Sequence, residues 1–404
     1  MQRMTWLHHP LLRRDQRAPF LLLAMVTASG TLGMHMIIPA LPATAVGLHV
    51  SEASIQLTIT LYLIGLAIGQ LLYGPLSDRF GRRPVLLGGL ALFTAAGVVT
   101  AIAPNAGVLI GARVLQSVGG CGGLVLGRAI VRDQATADRA AGQLALLTLV
   151  MSMAPAIAPV IGGYATAYLG WRSAFALLAL LGAVAFGLIL VWLPETVDTR
   201  GTGRGFSTML HGSVRLLRSR AFLGYAIGGS CTTTSFYAFM SASPFIFENL
   251  LHRPPQEIGL YYLLLMGGVA LGGFSANRMA GRVRPRTALR IANGLAIAAA
   301  AAFMLADLTG RLNVATVIVP VAVFMVGAGI ASPFAVAGAV SVNPLAIGAA
   351  SGMYGFMQMS YGVLCTVVVE TWRPGAVFPV AAVLLGSALL GQVALAVAVR
   401  RVSP

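Results

Sequence analysis

Residues Gly74 to Pro84 read GPLSDRFGRRP and join the end of one apolar run, Gln56–Leu76, to the start of the next, Val85–Ala103. A near copy, GGFSANRMAGRVRP at Gly272 to Pro285, joins the runs Ile258–Ala276 and Thr287–Leu305. Both strings open on Gly, keep Ser at the fourth place, set a polar residue before Arg (Asp78–Arg79, Asn277–Arg278) and end in Arg and Pro. A Gly permits a tight turn between two helices at a membrane surface. Asp78 is expected to sit against helix N-termini, where the dipole favours an anion, and the arginines to meet phosphate head groups and carboxylates. The repetition implies a duplicated chain, and duplicated membrane halves hold their site at the interface between them.

Working outward, apolar stretches fall at Phe20–Pro42, Gln56–Leu76, Val85–Ala103, Gly107–Val131, Ala141–Tyr164 and Ser173–Leu193. Six more follow at Phe222–Phe247, Ile258–Ala276, Thr287–Leu305, Val314–Val340, Ile347–Val369 and Gly375–Val399. The expected fold is all-α and integral to the membrane, twelve transmembrane helices in two pseudo-symmetric six-helix bundles at 20–194 and 221–399. Residues 195–220 have the Gly, Thr, Ser and Arg composition of a linker, and short tails occupy 1–19 and 400–404. With 57% hydrophobic and 9% charged residues among 404, against about 25% charged in an average soluble domain, lipid is the natural solvent. Twelve spans at ~20 residues each take roughly 240 residues, so no large soluble catalytic domain fits. The run from Phe20 exceeds the length of a cleaved leader and reads as a retained first helix.

The net charge of +16 comes from 27 basic residues, all Arg. Taking alternate sides of the predicted spans, 22 arginines fall on one side and only Arg172, Arg253, Arg311 and Arg373 on the other, with Arg113 inside a helix. That asymmetry assigns the first side, with both termini, to the cytoplasm and removes nucleic acid as a partner. Cys121, Cys231 and Cys365 lie apart in apolar segments and read as small buried hydrophobes. No nucleotide loop, catalytic triad, metal set or cofactor motif is visible; GGCGG at Gly119–Gly123 lies in an apolar helix, where close packing explains it.

The first loop resembles the signature cytoplasmic loop of the major facilitator superfamily. The resemblance implies that Gly74, Asp78, Arg79, Gly81, Arg82 and Arg83 latch the two halves in one of two alternating states. Arg113 and Gln116 in the fourth predicted helix match the family's second motif, with Ser117 where Gly is usual. Insertion scales put a buried Arg at ~2.5–3.5 kcal/mol, so Arg113 should face a cavity or a partner; the family reading assigns it to proton coupling. APAIAPVIGG, Ala154 to Gly163, is similar to the motif of superfamily antiporters, with Pro155 and Pro159 bending the helix and Gly162 and Gly163 allowing close approach. PALP at Pro39–Pro42, GRAIVRD at Gly127–Asp133, GWR at Gly170–Arg172 and LPET at Leu193–Thr196 narrow the match to the Bcr/CflA-type branch of multidrug resistance exporters.

That branch commonly carries a carboxylate in its first helix, four residues before the first Pro of PALP, and here the place holds His35. None of the eleven acidic residues falls in the middle of a predicted helix, so the usual membrane-embedded proton carrier is missing. Histidine can do the same work because it titrates near neutrality, and a cationic His35 would favour neutral or anionic substrates. The resemblance further implies a cavity lined by Thr31, His35, Gln116, Phe236, Tyr237, Met240, Tyr354, Met357 and Gln358. The leading expectation is a monomeric, proton-driven exporter in a bacterial inner membrane, moving drugs or a metabolite such as a siderophore. An uncoupled facilitator of a small solute is the alternative, and a membrane-embedded enzyme or receptor lacks any visible catalytic group.

Overall fold

The computed structural model describes residues 18–134, 137–196, 216–342, 347–372 and 375–399. Residues 1–17, 197–215 and 400–404, which hold most of the expected tails and linker, lie outside the described residues, as does Arg373. The first half contains α1 (Phe20–His35), a 3-10 turn (Ile38–Ala40), α2 (Leu41–Gly47), α3 (Glu52–Phe80), α4 (Arg82–Ala101), α5 (Ala106–Gln134), α6 (Ala137–Leu169) and α7 (Arg172–Trp192). The second contains α8 (Arg220–Thr233), α9 (Phe236–Phe245), a π turn (Ile246–Leu250), α10 (Pro255–Met279), α11 (Pro285–Leu308), α12 (Val314–Ser341), α13 (Ile347–Trp372) and α14 (Val377–Val399).

Among the described residues, eleven helical stretches are each long and apolar enough to cross a bilayer, Phe20–Gly47 being the first. The seventh expected span does not qualify because it is split: α8 has 14 residues and α9 has 10, against about 20 needed to cross. The split has a local cause. Thr233 and Thr234 turn their hydroxyls back onto Gly229 O at 2.8 Å and Ser230 O at 2.7 Å, the latter a carbonyl that also holds Thr234 N at 2.9 Å, and such added bonding to the preceding turn bends helices. The first crossing breaks at the matching place, just after His35, where Pro39 and Pro42 lack the N–H that would continue α1. Leu180, Val184 and Val191 of α7 remain 60%, 45% and 57% exposed, a display of apolar side chains that only lipid would tolerate at this scale.

Within the first half α5 packs on α1, α3 and α4, and α7 covers α4; within the second, α12 packs on α8, α10 and α11, and α14 covers α8 and α11. Two seams join the halves, α3 with α13 and α6 with α10. Exchanging the halves turns each seam into the other, which is the pseudo-twofold that the repeated strings imply. The two ends of the molecule differ. At the end away from the Gly74–Pro84 turn, both halves contribute to one continuous buried core, from Ile55, Ile59 and Leu63 to Phe245, Phe247 and Val369. At the turn's end, the second half keeps a separate core around Phe222, Leu289, Phe334 and Tyr354. The molecule is therefore sealed at the end that carries few arginines.

Candidate functional site: the turn, the buried arginine and the seams between the halves

Gly81 alone links α3 to α4, at φ +95°, and a Cβ there would run into the carboxylate of Glu195. That carboxylate accepts from Arg82 N at 2.9 Å and Arg83 N at 3.2 Å, placing an anion on the N-terminus of α4. The sequence reading gave this role to Asp78, and the structure corrects it. Asp78 lies at the C-terminal end of α3 and pairs with Arg82 at 2.7 Å. Arg82 also donates to Ser77 Oγ and, at 3.2 Å, to Asp133 at the end of α5, so it ties three helices together. Arg83 donates to Leu190 O at 2.8 Å, Arg79 covers the Phe80 ring at 5.2 Å, and Gly74 has open space beside it. Among the described residues these contacts stay within the first half. They also give physical reasons for two other strings: GRAIVRD supplies Asp133 and LPET supplies Glu195.

Arg113 is fully buried, with its guanidinium 4.1 Å from the centre of the Tyr62 ring and Nη1 donating to Gln116 Oε1 at 2.7 Å. The Tyr62 hydroxyl donates in turn to Gly30 O at 2.9 Å. Of the two fates expected for this arginine, it has found partners inside its own half. Gln116 lies against Gly97 of α4 and is fully buried; it packs within the first half and does not line a cavity between the halves, contrary to expectation. Ser117 is accommodated where Gly is usual because α3 supplies Gly65 opposite it.

Other expected lining residues divide in the same way. Met240 and Phe236 are buried, Phe236 within an aromatic cluster with Phe239 at 5.8 Å and Tyr262 at 6.2 Å, and both belong to the core that the two halves share at the sealed end. Tyr354 is likewise buried. Thr31, Tyr237, Met357 and Gln358 keep partial exposure. Gln358 Nε2 donates to Thr233 Oγ1 at 2.9 Å, joining α13 to the break in the seventh crossing. His35 ends α1 and is buried, with Nδ1 2.9 Å from Thr31 O. A carbonyl only accepts, so Nδ1 carries the proton and Nε2 is the basic atom.

The seams hold what sequence reasoning missed. Gly162 lets α6 approach the Met36 carbonyl, while Gly163 meets Pro255 and Gly259 meets Pro159 across the halves. On the other seam Thr60 of α3 lies 2.6 Å from Glu370 Oε1 and 2.8 Å from Thr366 Oγ1 of α13. Glu370 is 7% exposed. Glu370 does not lie in the middle of a helix, as expected, but α13 runs on past Val369, where the apolar run stops, to Trp372 and draws this carboxylate inside. The available signal was on α3, where Gln56 and Thr60, one turn apart, interrupt an apolar run and call for a polar partner.

Comparison with known proteins places this architecture. A family model described as Major Facilitator Superfamily matches residues 23–366. The chain is 30% identical over 394 residues to the uncharacterised MFS-type transporter YdgK of Bacillus subtilis, covering 96% of each chain. It is 34% identical over 330 residues to a chloramphenicol resistance protein of Pseudomonas aeruginosa, covering 80% of this chain and 76% of that one. It is 30% identical over 352 residues to multidrug resistance protein D of Escherichia coli, covering 86% and 87%.

Proposed function

Because the chain belongs to the major facilitator superfamily, we propose that it is a secondary active exporter of small amphipathic molecules, working by alternating access in exchange for protons. Family membership itself makes it a multi-pass membrane transporter and not an enzyme. The observation that carries the alternating-access reading is the unequal pair of ends, one core shared by both halves at the sealed end and a separate second-half core at the other. Drug export draws support from the two resistance proteins among its relatives. Chloramphenicol is uncharged, which suits a site whose titratable group is a histidine. Aromatic and Met side chains beside the break, Tyr237 and Met357 among them, suit a pocket that repacks around varied substrates; an endogenous metabolite such as a siderophore is the other substrate class.

His35 is the proposed protonation site, taking its proton at Nε2, and Arg113 holds the first half in the geometry coupling requires. One unit of pH gradient supplies ~1.4 kcal/mol and ~100 mV supplies ~2.3 kcal/mol per charge, so a single inward proton sustains a gradient of a few hundredfold. The protein sits in a bacterial inner membrane with the arginine-rich end, and both termini, in the cytoplasm.

The test is an imposed pH gradient in everted vesicles, with chloramphenicol as the first probe, for the native chain and His35→Ala. Collapse of the gradient on adding probe, lost in the variant, supports antiport through His35. Probe movement that leaves the gradient untouched supports the uncoupled facilitator. Native-like collapse in the variant removes His35 from the coupling path.

A further inference from the structure

We propose that Glu370 is a proton-binding site whose occupancy is linked to sealing of the end of the molecule away from the Gly74–Pro84 turn. Three oxygen contacts run in series: Glu370 to Thr60 at 2.6 Å, Thr60 to Thr366 at 2.8 Å, and Thr366 to Val363 O at 2.9 Å. Each needs one hydrogen, and the two hydroxyls supply only two. A protonated Glu370 supplies the third: its O–H donates to Thr60, Thr60 donates to Thr366, and Thr366 donates to the carbonyl. With an ionised Glu370 one of the three contacts has no hydrogen, and a carboxylate charge lies buried between two helices.

The surroundings favour the neutral form in this state. Thr60 is 2% exposed, and Thr366 and Gln56 are fully buried. Among the described residues no cation lies within ion-pair distance of Glu370; Arg373 lies outside them. Titratable groups on the elements packed against α13 at this level are Glu52 on α3, Cys231 on α8 and Tyr237 on α9, with Tyr361 and Cys365 on α13 itself; α12 and α14 contribute none. None of these is positively charged, so a charge on Glu370 is left to the protein's hydroxyls and amides. Burying an uncompensated carboxylate is expensive enough that such a group neutralises instead.

A path for the proton is built into α3. Glu52, Gln56 and Thr60 follow at intervals of four, one above another on a single helical face. Neither Gln56 Nε2 nor Oε1 has a hydrogen-bond partner, leaving an amide free to pass bonding between the two. Glu52 opens onto a cleft of about 400 Å³ at the sealed end, lined also by His49, Phe245 and Glu248. Glu52 itself accepts from Asn249 of the second half at 2.6 Å. Thr60, which bonds to Glu370, and Glu52, which bonds to Asn249, thus hold the halves together at this end, and both bonds disappear when the seam parts.

The sign follows from linkage. The sealed state binds the Glu370 proton more tightly than an opened, hydrated state does, so sealing is favoured at low pH and lost as pH rises. In the exporter proposed above, on which this sense of movement rests, a proton arriving from outside closes the outer end and returns the carrier to its inward-facing state.

The test uses the full chain in lipid, with spin labels at the exposed positions Val46 and Leu250, one in each half at the sealed end. Their distance distribution is followed from pH 5 to pH 9. The expected result is a short-distance population in the native background that falls several-fold as pH rises. Glu370→Gln, which keeps a hydrogen on the side chain and cannot ionise, stays short throughout; Glu370→Asp keeps the transition; Arg373→Gln leaves it in place. A native distribution that ignores pH overturns the site, and so does an undiminished pH response in Glu370→Gln. The vesicle assay reads the exporter proposal separately: an absent gradient collapse alongside a pH response that Glu370→Gln removes rejects proton-driven export while upholding the proton site.

Discussion

At the scale of single residues, charge in this protein is placed where the backbone or a ring can receive it. Arg113 stacks on Tyr62 and uses one nitrogen for Gln116, an arrangement that needs a planar fork rather than a point charge. A desolvated cation–π contact contributes about 2 kcal/mol. Arg113→Lys should therefore lower the melting midpoint in detergent by several degrees although the charge is kept; an unchanged midpoint would show that the ring and Gln116 are indifferent to the guanidinium. Glu195 illustrates the same logic on a helix end. Its carboxylate holds two N-terminal amides of α4, an interaction of the kind that contributes about 1 kcal/mol. Glu195→Gln should cost about that much and loosen the α3–α4 turn, seen as faster hydrogen exchange at Arg82 and Arg83; exchange at the native rate would count against the cap.

At the scale of elements, the apolar runs of the sequence foretold most helices because lipid demands about twenty apolar residues and little else. What they could not give was where a crossing breaks or how far a helix runs beyond its apolar part. The seventh span reads as one apolar stretch, yet Thr233 and Thr234 divide it by bonding to their own backbone. Glu370 was lost for a related reason: the hydrophobic run ends one residue too early, whereas the helix ends where its backbone bonding ends. The site was legible in part. The family-like strings located the turn, but Gln116 is packed inside its own half and Phe236 and Met240 inside the shared core, since spacing along a helix does not reveal which neighbour the face meets. The glycines of α6 were read correctly as points of close approach, and their partners follow only from the packed halves. Gly259→Val would push a branched side chain into the Pro159 carbonyl and Val160, so it should leave each half folded while prying α6 from α10. The expected outcome is a native-like helix content with a lengthened Val46–Leu250 distance at every pH; an unaltered distance would mean the seam yields without opening.

At the scale of the whole molecule, the proposed alternating access asks two halves joined along two seams to open one end while closing the other, because each seam runs past both. On that reading, the shared core at one end and the divided core at the other make the bond between Glu52 and Asn249 a position that parts in every transport cycle. Glu52→Cys combined with Asn249→Cys, bridged by a short thiol-specific cross-linker, should abolish export, and cleavage of a reducible linker should restore it. The native thiols do not interfere with the logic, since Cys121, Cys231 and Cys365 are all buried. Full export with the bridge intact would mean that this end stays closed while substrate leaves, which alternating access does not allow. The same labelled cysteines report orientation. On the proposed orientation, which follows the positive-inside rule in setting the arginine-rich end in the cytoplasm, the pair in intact cells should react with a membrane-impermeant thiol reagent from outside, and protection there would invert the topology together with the direction of transport.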